Sequence, residues 1–196
     1  RQVSSKFTIL LPGRLTYWKG QEKFIESLNI LIEDYNFTNF QAIMLGSDQG
    51  RKVYSKKLTN LIERYSLNKK VKFIKHCKEM PLAYSLADVV VSASIEPEAF
   101  GRVAVEAQAM GKPIIASNLG GSKETILNKK SGFLYKHDDP RDLAKSLNTV
   151  IQLSQDELKL MGKEGRKNIA KKYDVETMCD SNLKEYIKLL KINAPN

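Results

Sequence analysis

In the stretch EPEAFGRVAVEAQAMGKPIIAS, from Glu96 to Ser117, two acids stand eight positions apart. Glu98 lies just before Ala-Phe-Gly, and Glu106 lies inside an alanine-rich segment. Carboxylates are good acceptors for paired hydroxyls, because charged hydrogen bonds are the stronger kind. If a helix begins near Phe100, the free N–H groups and partial positive charge of its first turn lie between the acids, where a diphosphate is stabilised. Eight helical residues rise about 12 Å, roughly the reach from a hexose through a diphosphate to a ribose. A plainer reading has Glu98 favouring the dipole of a helix start and Glu106 as an ordinary exposed helical residue. Against it, Val103, Ala104, Val105, Ala107 and Ala109 crowd Glu106. A carboxylate among small apolar neighbours is half buried and needs a partner. On the residues alone, both readings stand.

The elements that would position these acids are legible as apolar patterns. FTILLPG, FQAIMLG, VKFIK, DVVVSAS, PIIAS and SGFLY are short apolar runs bounded by turn residues, as buried strands are. Between them lie helical periods: Phe24, Ile25, Leu28, Leu31 and Ile32; then Val53, Leu58, Leu61 and Ile62; then a short helix from Pro81 to Leu86. GGSKETIL reads as a helical turn, and DPRDLAKSLNTVIQL as a helix opened by Asp-Pro. Strands alternating with helices, the central strands continuously apolar, predict an α/β fold with a doubly wound parallel sheet. Such sheets bind ligands beyond the carboxyl ends of their strands, where strand order reverses. Arg14, Lys19, Gly46, His76, the run from Ser94 to Gly101, and Asn118 to Gly121 all follow a strand. Gly120 and Gly121 suit a close backbone approach or a tight turn. Glu124 either caps its own helix or faces the cleft. His137, beside Asp138 and Asp139, reads as part of a loop and helix cap; the two aspartates lack a third ligand for a metal.

Beyond about Gln155 the pattern is helical only. Residues 1–172 form the expected Rossmann-like domain, and 173–196 a separate, amphipathic terminal helix that carries Met178, Leu183, Ile187 and Leu190. The chain opens on Arg1 rather than Met, which fits a piece of a longer protein. No apolar run approaches the roughly 20 residues needed to span a bilayer. Cys77 and Cys179 lie far apart, with no C-x-x-C pair, and read as small buried or half-buried thiols in a reducing cytosol. The net charge of +10 favours polyanions: nucleotides, nucleic acid, or an anionic membrane face. The lysines are scattered, however, and no interleaved aromatics suggest a platform for bases, so nucleic acid is not the expected partner. An AT-rich genome would also account for the lysines.

The ordered set of motifs resembles a known family. EAFGRVAVE matches the E-x7-E signature of retaining glycosyltransferases of the two-domain GT-B architecture, and its surroundings look like glycosyltransferase group 1, or family 4. GRLTYWKG, LGSDQ, ADVVVSAS, and GGSKETI followed by SGFLY are similar to further family segments, in the family's order, over roughly residues 8 to 150.

The resemblance implies a Rossmann-like C-terminal, donor-binding half of a GT-B fold. It implies that Gly13, Arg14 and Lys19 line the donor diphosphate, with the two cations stabilising the leaving nucleotide. Glu98 then meets the hydroxyls of the transferred sugar, the backbone of Phe100 and Gly101 lies near the phosphate, and Glu106 meets the ribose. His76 and Cys77 would hold the base mainly through backbone groups. No metal is expected, and the donor is a nucleoside diphosphate sugar, with UDP-sugars the first guess by frequency in the family. The reaction implied is sugar transfer with retention, by a same-face mechanism in which the leaving phosphate serves as base. The acceptor domain is missing from this chain, and the terminal helix looks like the one that crosses back to it. The chain alone is thus expected to bind donor but transfer little or nothing. Lipopolysaccharide, capsule or glycolipid synthesis at the inner face of the cell membrane is the expected setting. The alternatives are a non-catalytic nucleotide-sugar sensor and, further off, a basic nucleic-acid-binding module.

Overall fold

The computed structural model describes residues 6–75 and 77–192, the last two by backbone alone. The six apolar runs form β1 (Phe7–Pro12), β2 (Phe40–Leu45), β3 (Val71–Ile74), β4 (Val89–Ser92), β5 (Ile114–Ser117) and β6 (Gly132–Tyr135). All pairings are parallel, in the order β3-β2-β1-β4-β5-β6. The expected doubly wound Rossmann-like sheet is therefore the one observed. Strand order reverses between β1 and β4, so the loops after those two strands diverge and leave a crevice.

Alternate residues of each strand face opposite sides, and each side carries its own apolar cluster. Ile9 and Leu11 of β1 join Met44, Val89, Val91 and Ile115 under α1 (Gln21–Glu33), α2 (Lys52–Arg64) and α6 (Pro140–Ile151). Leu10 joins Leu45, Val90, Ile114 and Ala116 under α3 (Met80–Ser85) and α4 (Arg102–Ala109). β4 and β5 are buried at every position, as central strands covered on both faces must be. Val53 departs from its expected inward place and is 87% exposed. It lies in the first turn of α2, where Leu58 and Ile62 carry the buried face without it.

Helix α5 (Ser122–Thr125) is a single turn, and α7 (Gln155–Lys172) packs along α4. Asp139 caps α6, accepting from the N–H groups of Arg141 and Asp142 at 3.1 Å each, with Pro140 at the first helical position. His137 is exposed and leaves the capping to Asp139. Ser154 and Glu157 form a reciprocal capping box at the start of α7. Helix α8 (Val175–Ile192) is exposed at every described side chain through Leu190. Cys179 lies on it and is exposed, contrary to its expected burial, because among the described residues no other element covers that helix. No described helix is long and apolar enough to cross a membrane.

Candidate functional site: a cleft at the strand-order reversal

The loops after β1 and β4 are joined before they diverge. Ile95 N–H donates to Trp18 C=O at 2.9 Å, and a Cβ on Gly20 would meet Ala93 O at 1.9 Å. Only a residue without a side chain lets these two backbones meet. Beyond this junction lies a cleft of about 630 Å³. Gly13, Arg14, Lys19, Cys77, Glu98, Phe100, Gly101 and Glu106 all line it. The structure thus brings together the sequence-predicted residues, apart from His76, which lies outside the described residues.

Lys19 ends a single 3-10 turn (Tyr17–Lys19), and its Nζ lies 2.8 Å from Glu98 Oε1. Ser94 Oγ donates to the same carboxylate oxygen. The Lys19 and Glu98 side chains keep only 12% and 17% of their exposure, so water screens the pair weakly. Trp18 backs the two cations: Lys19 Nζ is 4.5 Å from its ring centroid and the Arg14 guanidinium carbon 5.8 Å.

Glu106 is half buried and partnered, as its crowded neighbours require. Tyr84 donates its O–H to Oε2 at 2.8 Å, and Arg102 donates from Nε and Nη2 to Oε1 at 3.2 and 2.9 Å. Burial, with the Glu106 contact added, pushes the Tyr84 phenol well above its ordinary range. Lys75 and Arg102 also line the cleft, so its cations outnumber its carboxylates and its field favours an anion.

Helix α4 begins at Arg102, two residues later than expected, after Gly101 in a left-handed conformation. The eight-residue spacing is therefore not a continuous helical rise, since Glu98 sits on the preceding loop. That loop is held from below: Gly121 N–H donates to Glu98 C=O at 2.8 Å, and Gly120 lies against the Glu98 backbone. The two glycines thus serve the approach of one protein backbone to another. The Phe100 ring stacks edge-on with Tyr173 at 5.5 Å, and Tyr173 in turn donates to Glu124 C=O at 3.2 Å. Gly101 caps α4 without a side-chain bond, so the first-turn N–H groups have no side-chain cap, and Gly101, Arg102 and Val103 line the cleft.

The family model for glycosyl transferases group 1 matches residues 2–168. The chain belongs to that family. The family is one of GT-B enzymes, and this chain matches the C-terminal half of their fold. The D-inositol 3-phosphate glycosyltransferase of Corynebacterium urealyticum is 31% identical over 180 residues, covering 90% of this chain and 42% of that protein. HepE of Anabaena, solved in complex with UDP-glucose, superposes with a TM-score of 0.86 at 30% identity, over 96% of this chain and 50% of that one. The C-terminal domain of the group 1 protein LpcC of Francisella tularensis superposes with a TM-score of 0.76 at 26% identity, over 86% and 87% of the two chains. The chain spans about half the length of the curated relatives it matches.

Sequence reasoning missed four residues of this group 1 cleft. Arg102 carried a signal, because it stands four positions before Glu106 and such pairs face each other on a helix. Trp18, the protein's one tryptophan, stands beside Lys19 in a loop that follows a strand. Lys75 lay in the KHCKE loop without being singled out. Tyr84 carried no signal, since its helix reads only as short and apolar.

Proposed function

We propose that the chain is the donor-binding half of a retaining glycosyltransferase that moves a sugar from a nucleoside diphosphate sugar, a UDP-sugar by preference, to a glycan or lipid-linked acceptor. The observation that carries this is the cleft at the β1/β4 reversal, which cations, the start of α4 and two separately held carboxylates line together. HepE, with UDP-glucose bound, supports UDP as the nucleotide.

In this reading Arg14, Lys19 and the first-turn N–H groups of α4, near the backbone of Phe100 and Gly101, hold the diphosphate. They oppose the charge that builds on it as the glycosidic bond breaks, and preorganised groups of this kind need no rearrangement in the transition state. Glu98 meets the hydroxyls of the transferred sugar and Glu106 those of the ribose. The backbone of Cys77 holds the base beyond β3. The described half presents no convincing covalent nucleophile in the cleft, which suits same-face departure with the leaving phosphate as base. The cations of the cleft take the role a metal would otherwise have, so transfer proceeds without one. The acceptor sits on a first domain outside this chain, and α8 returns to it. The net charge of +10 supports work at the inner, anionic face of a cell membrane, on lipopolysaccharide or capsule.

Calorimetric titration of the intact protein with UDP, GDP, ADP and their hexose conjugates tests the reading. One nucleotide should bind selectively, and Glu106→Ala and Lys19→Ala should each weaken it about tenfold or more, the worth of a charged hydrogen bond. No binding across the panel overturns the donor site. Binding without any turnover of the donor makes the protein a sensor.

A further inference from the structure

A glutamate side chain has several free torsions, and ordering them on ligand binding costs affinity. Glu106 is ordered beforehand by two neighbours of different kinds. Arg102, one turn earlier on α4, holds Oε1 but is 84% exposed, and such a pair is screened by water and exchanges readily. Tyr84, on α3, holds Oε2 from inside the core. It is 2% exposed and belongs to the apolar cluster with Leu10, Val90, Ala104 and Ala107, where close packing fixes the ring. Its phenol stays a proton donor throughout the neutral range, because burial and the Glu106 carboxylate both oppose ionisation.

We propose that Tyr84 is a positioning residue for nucleoside recognition: it locks Oε2, and with it the plane of the Glu106 carboxylate, while Oε1 is released by Arg102 to a ribose hydroxyl. The inference rests on the reading that Glu106 meets the ribose. A carboxylate oxygen accepts more than one hydrogen bond, so Oε2 keeps capacity for a second hydroxyl beside the first. The two oxygens then match a vicinal diol. Tyr84 touches no substrate itself and acts only through Glu106.

The test compares the diphosphate that binds most tightly among UDP, GDP and ADP with its 2′,3′-dideoxy counterpart, on the intact protein. The wild type should favour the ribose form by about tenfold or more. Tyr84→Phe keeps the ring and removes only the hydroxyl. It should cut that preference to about threefold or less while leaving dideoxy affinity within about twofold. In a Glu106→Gln background, adding Tyr84→Phe should leave the remaining preference unchanged. Arg102→Met, at an exposed site that does not burden folding, should retain the preference or raise it.

If no nucleotide binds, or the wild type binds both forms alike, the reading of the cleft fails and the inference falls with it. If the wild type discriminates and Tyr84→Phe discriminates as strongly, the inference alone fails. It fails equally if Tyr84→Phe weakens both forms by the same factor, as a purely structural tether between α3 and α4 would. Loss of the preference in Arg102→Met would assign the orienting role to Arg102 and overturn it. That last variant keeps the proposal exposed to refutation even if Tyr84→Phe folds poorly.

Discussion

Lys19 and Glu98 come from different loops, and each is the other's nearest opposite charge at the cleft. Removing one partner leaves the other largely out of water without its counter-charge, which costs more than the pair itself contributes. Ser94 adds a hydroxyl to Glu98, and Trp18 adds a π face to Lys19, so the pair belongs to a small network. Groups that act as a unit show non-additive losses. Steady-state kinetics of the intact protein should show Lys19→Ala lowering kcat/KM by about 10²–10³-fold, the usual loss when a preorganised charge is removed. Adding Glu98→Gln should then lower it by much less than Glu98→Gln does alone. Losses that multiply independently would mean that the two residues serve separate steps.

The same acids depend on how the loops are joined. Gly120 has φ +54°, and a Cβ there would meet Glu98 O at 2.4 Å and Glu98 N at 2.8 Å. Backbone atoms cannot step aside as a flexible side chain does, so an added methyl must displace the loop that carries Glu98. Gly50 provides the control: its φ is also positive, at +83°, but a Cβ there meets nothing within 4 Å. In denaturant unfolding, Gly50→Ala should cost only the left-handed strain, roughly 1–2 kcal/mol. Gly120→Ala should cost more and should also weaken nucleotide binding. Equal costs at the two positions would mean that the 120–121 turn does not support the Glu98 loop.

At the scale of the whole molecule, α8 stands out among the described elements, because each of its described side chains is exposed. Val175 is 71% exposed, Leu183 56%, Ile187 43% and Leu190 72%. Burying one such side chain against a partner is worth about 1.5–3 kcal/mol. The proposed return of this helix to a first domain has a direct consequence. Leu183→Glu with Ile187→Glu should leave the unfolding of residues 1–196 alone within about 0.5 kcal/mol, as surface changes do. The same pair should lower the unfolding temperature and the turnover of the intact protein. If the intact protein tolerates both changes, α8 does not pack against the first domain.

Much of this architecture was already legible in the amino-acid order, because burial is written locally. All six strands and the helices on α1 and α6 follow from runs and periods that each segment carries by itself, and the cleft loops follow from which residues end a strand. Val53 shows the limit of that signal: it lies roughly 140–180° around α2 from Leu58 and Ile62, so an apolar residue off the buried stripe was read as part of it. The crowding around Glu106 announced that it needed a partner, yet not that Tyr84 would supply it. The start of α4 at Arg102 depended on Gly101 and on the loop's bonds to the 120–121 turn. What the sequence determined by itself is the alternation of buried strands and amphipathic helices, and the residue types at the strand ends. Tertiary structure alone decided the strand order, and with it the meeting of Lys19 with Glu98 and of Tyr84 with Glu106. Such pairings join segments distant in sequence, and their geometry exists only once all six strands have packed in one order.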